Sequence, residues 1–163
     1  MARQVFFSFH YQPDCWRVSQ VKQMGSIEGQ PLLSSNDWEE VEKGGDKKIK
    51  EWIDGEMSGK SCLVVLIGKS TAGRKWVNYE IEKAWGDGKG VVGVHIHGLL
   101  DSSSNQTTKG SNPFSSFTVG DVPLTDYAKC YDTPYVSSKY VYDHIKEKLS
   151  EWVEEAIRLR ATA

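Results

Sequence analysis

Long apolar runs are missing from this sequence. The longest unbroken aliphatic stretch, Leu63 to Ile67, falls far short of the roughly 20 residues that a bilayer-spanning helix needs, so no membrane partner is expected. Near the N-terminus Arg3 supplies a positive charge, but Ser8, His10 and Gln12 interrupt the apolar residues before a signal-peptide core can form. The chain is therefore expected in the cytoplasm. Cysteine is scarce too: Cys15, Cys62 and Cys130 are odd in number, widely spaced and without a C-x-x-C pair. This argues for reduced thiols rather than a disulfide framework. Nor does one sign of charge dominate. Twenty Lys+Arg stand against 22 Asp+Glu, a formal net charge of -2, too balanced for a chain that recognises nucleic acid mainly through phosphate neutralisation.

What is present suits one compact domain over residues 1–163, because 39% of the residues are hydrophobic and six are tryptophan, enough for a core of its own. Val5 to Phe9 is short, aromatic and β-prone, and the polar, proline-containing Tyr11-Gln12-Pro13-Asp14 follows at once; a first strand ends near His10. Gly25 to Gly45, with four glycines, Pro31, Ser34, Ser35, Asn36 and an acidic run over 38–42, reads as a long loop holding at most a short turn of structure. From Asp46, a candidate N-cap, Ile49, Trp52, Ile53 and Met57 recur on one face of an amphipathic helix. Ser61 to Gly68 lacks polar alternation, as expected of a central parallel strand covered on both faces. Arg74 to Trp85 reads as a helix with the stripe Val77, Ile81, Ala84 and Trp85, stopped by Gly86 and Gly88. Val91 to His97 gives another strand. Asp101 to Phe117 is a Ser/Asn/Thr/Gly-rich surface loop with a turn at Asn112-Pro113-Phe114, and Ser138 to Arg160 is a long amphipathic helix. Strands alternating with helices predict a three-layer α/β domain, flavodoxin-like in outline, with a mainly parallel central sheet and a site beyond the carboxyl ends of its strands.

Two patterns invite wrong chemistry. Gly68-Lys69-Ser70-Thr71 copies the tail of a phosphate-binding P-loop, but Leu63 stands where that motif needs its first glycine. His95 and His97 sit two apart on a strand and so face the same way, yet no third metal ligand is evident; no metal is expected. No acidic pair follows the first strand, which argues against a phospho-acceptor domain. Glu80 stands out instead. At about 100° per residue it falls at the edge of the apolar stripe, beside Trp76. A carboxylate buried there must be paired or used; the plainer alternative is a surface contact with Lys83 or Arg74.

The residues around Glu80 resemble those of the TIR (Toll/interleukin-1 receptor) domain family. Val5-Phe6-Phe7-Ser8-Phe9 is similar to the family's first-strand motif, and Leu63 to Ile67 stands in the place of its central strand. Arg74-Lys75-Trp76-Val77-Asn78-Tyr79-Glu80-Ile81 resembles the W-C-x-x-E-[LI] helix motif, with Val77 replacing the cysteine. These core motifs span about 5–97, with an extra loop and helix over about 98–160. Within the family, the opening Phe-Phe-Ser-Phe-His-Tyr, with Asp14 and Arg17 shortly after, and the late Asn112-Pro113-Phe114 resemble the TIR-like proteins of bacterial Thoeris anti-phage systems.

The resemblance implies an enzyme that cleaves NAD, taken as substrate with no further cofactor, and makes a cyclic ADP-ribose isomer as a signal. It implies Glu80 as the catalytic residue, a phage-derived trigger, a separate effector reached through the product, and self-assembly of the chain. The competing reading on the same fold is a non-catalytic module acting through protein–protein association. In the enzymatic reading the end of the first strand contributes substrate-binding residues: Ser8 and His10 line the crevice, Phe6, Phe9 or Tyr11 stack on a ring, Arg17 meets a phosphate and Trp76 walls the pocket. For Phe6, Phe9 and Trp76 the alternative is core packing, and for Arg17 a surface ion pair.

Overall fold

The computed structural model describes residues 3–32 and 35–163. Met1, Ala2, Leu33 and Ser34 lie outside the described residues, and with them part of the N-terminal and Gly25–Gly45 readings. The elements run β1 (Val5–Ser8), α1 (Tyr11–Gln23), α2 (Ser35–Lys43), α3 (Gly45–Met57), β2 (Cys62–Ile67), α4 (Lys75–Gly86), β3 (Gly90–His95), β4 (Thr118–Val119), β5 (Val122–Pro123), a single 3-10 turn (Leu124–Asp126), β6 (Cys130–Tyr131) and α5 (Ser138–Ala161). Four strands pair in parallel in the order β1-β2-β3-β6, and β4 and β5 form a small antiparallel ribbon.

Side-chain alternation along the buried strands divides the core in two. Val5, Phe7, Val64, Leu66, Val92 and Val94 pack under α1 and α5. Phe6, Leu63, Val65, Ile67 and Val91 pack under α3 and α4. The sheet is thus the middle of three layers, and β2 is buried at all six positions because both faces are covered. The predicted three-layer α/β architecture holds.

Four features differ from expectation. The polar stretch after β1 is the start of α1, not a break: Pro13 falls in the first helical turn, where no backbone donor is required. The Gly25–Gly45 segment carries a nine-residue helix, α2. Its Trp38 and Val41, one turn apart, pack against the α3–α4 face, with the Trp38 and Trp52 rings 5.7 Å apart edge to face, and Asp37 in the first turn suits the positive end of the helix dipole. Asp46 is not the cap of α3; Gly44 is, and Asp46 lies within the first turn. Finally, the 101–117 loop does reach the core. Phe114 is fully buried against the α3–α4 side, and its N–H donates to Asn112 Oδ1 at 2.8 Å, which makes the turn read at Asn112-Pro113-Phe114.

That loop also closes over the P-loop lookalike. Gly68 N–H donates to Thr71 Oγ1 at 2.8 Å, so the Gly68–Thr71 segment is a tight turn stapled by its own hydroxyl. A Cβ added at Gly110 would stand 2.1 Å from Gly68 O and 2.9 Å from Lys69 O. Both obstacles are backbone, so Gly110→Ala is expected to lower stability by about 1–3 kcal/mol. A urea-unfolding midpoint unchanged by the substitution would contradict this packing.

Candidate functional site

Beyond the carboxyl end of β1 lies a cavity of about 600 Å³. Four parts of the chain enclose it: the end of β1 and the cap of α1 (Phe6, Phe9, His10, Tyr11), the 30–32 segment with α2 (Trp38, Glu39, Glu42), α3 (Trp52, Ile53), and the first turns of α4 (Arg74 to Val77 and Glu80). Its aromatic wall is continuous. Phe9 and Tyr11 rings lie 6.1 Å apart, Tyr11 stacks on Trp38 at 6.2 Å and 23°, and Trp52 meets both Trp38 and Phe6 edge-on. Gln30 fixes this side of the fold by giving the free edge of β1 a neighbour: its carboxamide accepts from Phe7 N at 2.8 Å and donates to Phe7 O at 3.0 Å.

Glu80 stands on the buried row of α4 with Val77, Ile81 and Ala84 and is only 7% exposed. Ser8 Oγ donates to Glu80 Oε1 at 2.7 Å. Burial pushes the carboxyl up to about 8, partly offset by the Ser8 hydrogen bond, which favours the charged form. The surface alternative does not hold, since Glu80 is buried, Lys83 pairs with Asp87 at 3.2 Å and Asp54 at 3.9 Å, and among the described residues neither Lys83 nor Arg74 forms an ion pair with Glu80. An acid held this far above its ordinary value of 4.5, in a cavity, marks a candidate functional centre.

The other residues singled out in the sequence divide. Phe6, Phe9, His10, Tyr11 and Trp76 line the same cavity as Glu80. Phe6 is also core, being 1% exposed, so packing and lining are one role. Ser8 reaches the site only through Glu80. Trp76 is half-buried, edge-on to Tyr79 at 5.7 Å, with Lys75 Nζ 4.9 Å from its ring centroid. Arg17 is not brought to the cavity. Its guanidinium is buried, donating to Asp14 Oδ1 (2.9 Å), Leu99 O (2.9 Å), Asn105 O (2.9 Å) and Pro13 O (3.1 Å); with these donors engaged, it ties α1 to the loop after β3 instead of facing a phosphate. The cations that do line the cavity are Arg74 and Lys75; the sequence reading offered Arg74 only as a surface partner of Glu80 and gave Lys75 no role. Trp38, Glu39 and Glu42 were missed because their helix was read as loop; the three-residue spacing of Trp38 and Val41 was the available signal.

His95 and His97 do meet, with ring centroids 5.7 Å apart at 80°. Among the described residues, however, no group of three His, Cys, Asp or Glu side chains is placed to hold a metal ion. Burial pushes His95 down to about 4, so the imidazole is neutral at pH 7.

A sequence profile described as "Thoeris protein ThsB, TIR-like domain" matches residues 6–101, the stretch that builds β1 through β3 and all of the cavity wall. The chain belongs to this family. A Bacillus cereus protein named "Putative cyclic ADP-D-ribose synthase ThsB1" is 39% identical over 121 residues, covering 70% of this chain and 62% of that relative. The chain thus spans less than two thirds of the relative's length. No helix among the described residues of this ThsB-type TIR-like domain is long and apolar enough to cross a membrane.

Proposed function

We propose that this TIR-like domain cleaves the nicotinamide–ribose bond of NAD and closes the remaining ADP-ribose into a cyclic isomer, a signal in anti-phage defence that a separate effector reads. The observation that carries the reading is Glu80: a buried carboxyl, held by the Ser8 hydroxyl, at the wall of an aromatic cavity of about 600 Å³. Loss of nicotinamide leaves positive charge on the ribose ring, and a carboxylate beside that ring stabilises it, as in glycoside cleavage. The cationic pyridinium of NAD, brought next to Glu80, favours the ionised carboxylate that burial alone disfavours. Aromatic walls suit both bases of a dinucleotide and keep water from the reacting carbon, which turns attack inward. The name of the Bacillus cereus relative agrees with this chemistry.

The test is mass spectrometry of nucleotides in cells expressing the protein, with and without phage challenge, for wild type and Glu80→Gln. A cyclic ADP-ribose species made by wild type alone is expected. Identical NAD pools and no such product from either protein, in cells carrying a complete defence system, would leave the association module as the better reading.

A further inference from the structure

The end of β1 presents a second titratable group to the cavity. Phe6 packs on the α3–α4 face and the Ser8 hydroxyl reaches Glu80 on that face. His10 is next in the same alternation. Its backbone is still extended, with φ -85° and ψ 106°, and it lines the cavity. At the rise of an extended chain His10 lies about 7 Å beyond Ser8 on the same side, in the cavity that Glu80 also lines.

One helical turn on, Asp14 is a buried acid whose carboxylate lies against Gly68 and accepts from Arg17. His10 Nδ1 and Asp14 Oδ2 are both buried without a hydrogen-bond partner. They belong to residues one helical turn apart, joined by Asp14 N–H donating to His10 O at 3.2 Å. The charges that act on the imidazole are Arg74, at the cap of α4, and Asp14 from α1; Lys75 and Glu80 from α4 and Glu39 and Glu42 from α2 line the same cavity. Burial first, and then Arg74, hold the imidazole below its ordinary value of 6.5, opposed in part by Asp14. At pH 7 it is neutral and able to accept a proton.

We propose that His10 is the base that takes the proton of the hydroxyl displacing nicotinamide. This rests on the NAD-cleaving reading above. A lone pair of the hydroxyl oxygen forms the new bond to the anomeric carbon, and the electron pair of the carbon–nitrogen bond leaves with nicotinamide, which departs neutral. The hydroxyl proton passes to His10 Nε2 and later to solvent. Glu80 stabilises the ring charge throughout and is itself unchanged. The same step serves a hydroxyl of the substrate, which gives a ring, or of water, which gives the linear product.

The experiment measures nicotinamide release from NAD by wild type, His10→Gln, His10→Ala and Glu80→Gln across pH 5 to 9, with thermal melts as a check on folding. His10→Gln is expected to lower kcat by at least about 100-fold with KM changed by less than about threefold. Below both ionisations, log kcat/KM of wild type is expected to rise with pH at a slope of about 2, falling to about 1 in His10→Gln. Added imidazole is expected to restore turnover to His10→Ala. A folded His10→Gln that keeps wild-type kcat and slope, or that loses only in KM, overturns the base while leaving Glu80 and the reading intact. A wild type that leaves NAD untouched, alone and in challenged cells, with Glu80→Gln no different, overturns the reading and the base with it.

Discussion

Glu80→Gln is expected to yield a protein that folds, melts higher than wild type at pH 8 and releases nicotinamide from NAD about 10³-fold more slowly or not at all. The two effects share one cause. Glutamine keeps the acceptor for the Ser8 hydroxyl but never has to carry charge in the apolar row of α4. Glu80 is held at about 8 in the folded chain against an ordinary value near 4.5. Between these limits the folded protein keeps a proton that the unfolded chain releases, so wild-type stability falls as pH rises through the window. Below about 4.5 the acid is neutral in both states and the variant has no advantage; above about 8 the advantage is constant. Its plateau is on the order of 5 kcal/mol, which for a chain of this size moves the melting temperature by about 10–20 °C. Other buried acids, Asp14 among them, titrate equally in both proteins and cancel in the difference. Melts recorded from pH 4 to pH 9 check the result: a gap that does not vary with pH would mean that Glu80 is not a strained acid, and full turnover by the variant would remove it from the chemistry. Stability forgone at a carboxylate is the usual signature of a site kept for function.

Patterns that repeat within one element were legible before the fold was known. The unbroken aliphatic run at 63–67 has to be a doubly covered strand, and the apolar positions of 138–160 have to be one face of a helix. Glu80 was visible for the same reason, because a carboxylate on an apolar stripe breaks a local rule that only pairing or use repairs. Features decided by distant partners were not legible. Pro13 looks like a break until the end of β1 places it in a first helical turn. Trp38 and Val41 are spaced as one helix face in the sequence, but two positions among glycines and acids fix no helix until Trp52 is known to stand opposite. Phe114, in a stretch rich in Ser, Asn, Thr and Gly, belongs to no extended apolar repeat, yet it is fully buried. The cavity is made of such pieces: one wall is local to α4, while the facing wall comes from a segment whose helix is short and acidic.

Arg17→Met is expected to be the most destabilising single change outside the apolar core, and to act through stability rather than substrate affinity. The Arg17–Asp14 pair is buried at both ends, 3% and 1% exposed, and the guanidinium also satisfies the carbonyls of Leu99, Asn105 and Pro13. Removing it strands a buried carboxylate and three acceptors, a loss of about 3–5 kcal/mol, a large share of the roughly 5–15 kcal/mol that holds a domain folded. Burial already raises the Asp14 carboxyl above its ordinary value against the opposing pull of Arg17; without Arg17 it rises further. A raised acid adds stability at low pH that is lost as pH rises, so the deficit of Arg17→Met should be smallest near pH 4 and largest above neutrality. The double variant Asp14→Leu/Arg17→Met removes both charges and is expected to recover part of the loss. Urea unfolding of the three proteins at pH 4 and pH 8 measures all of this. If Arg17 met a phosphate of the substrate instead, Arg17→Met would unfold at nearly the wild-type midpoint and lose its activity in KM. If it is the strut between α1 and the loop after β3, the fraction that stays folded keeps the wild-type KM, because the cations facing the cavity are Arg74 and Lys75.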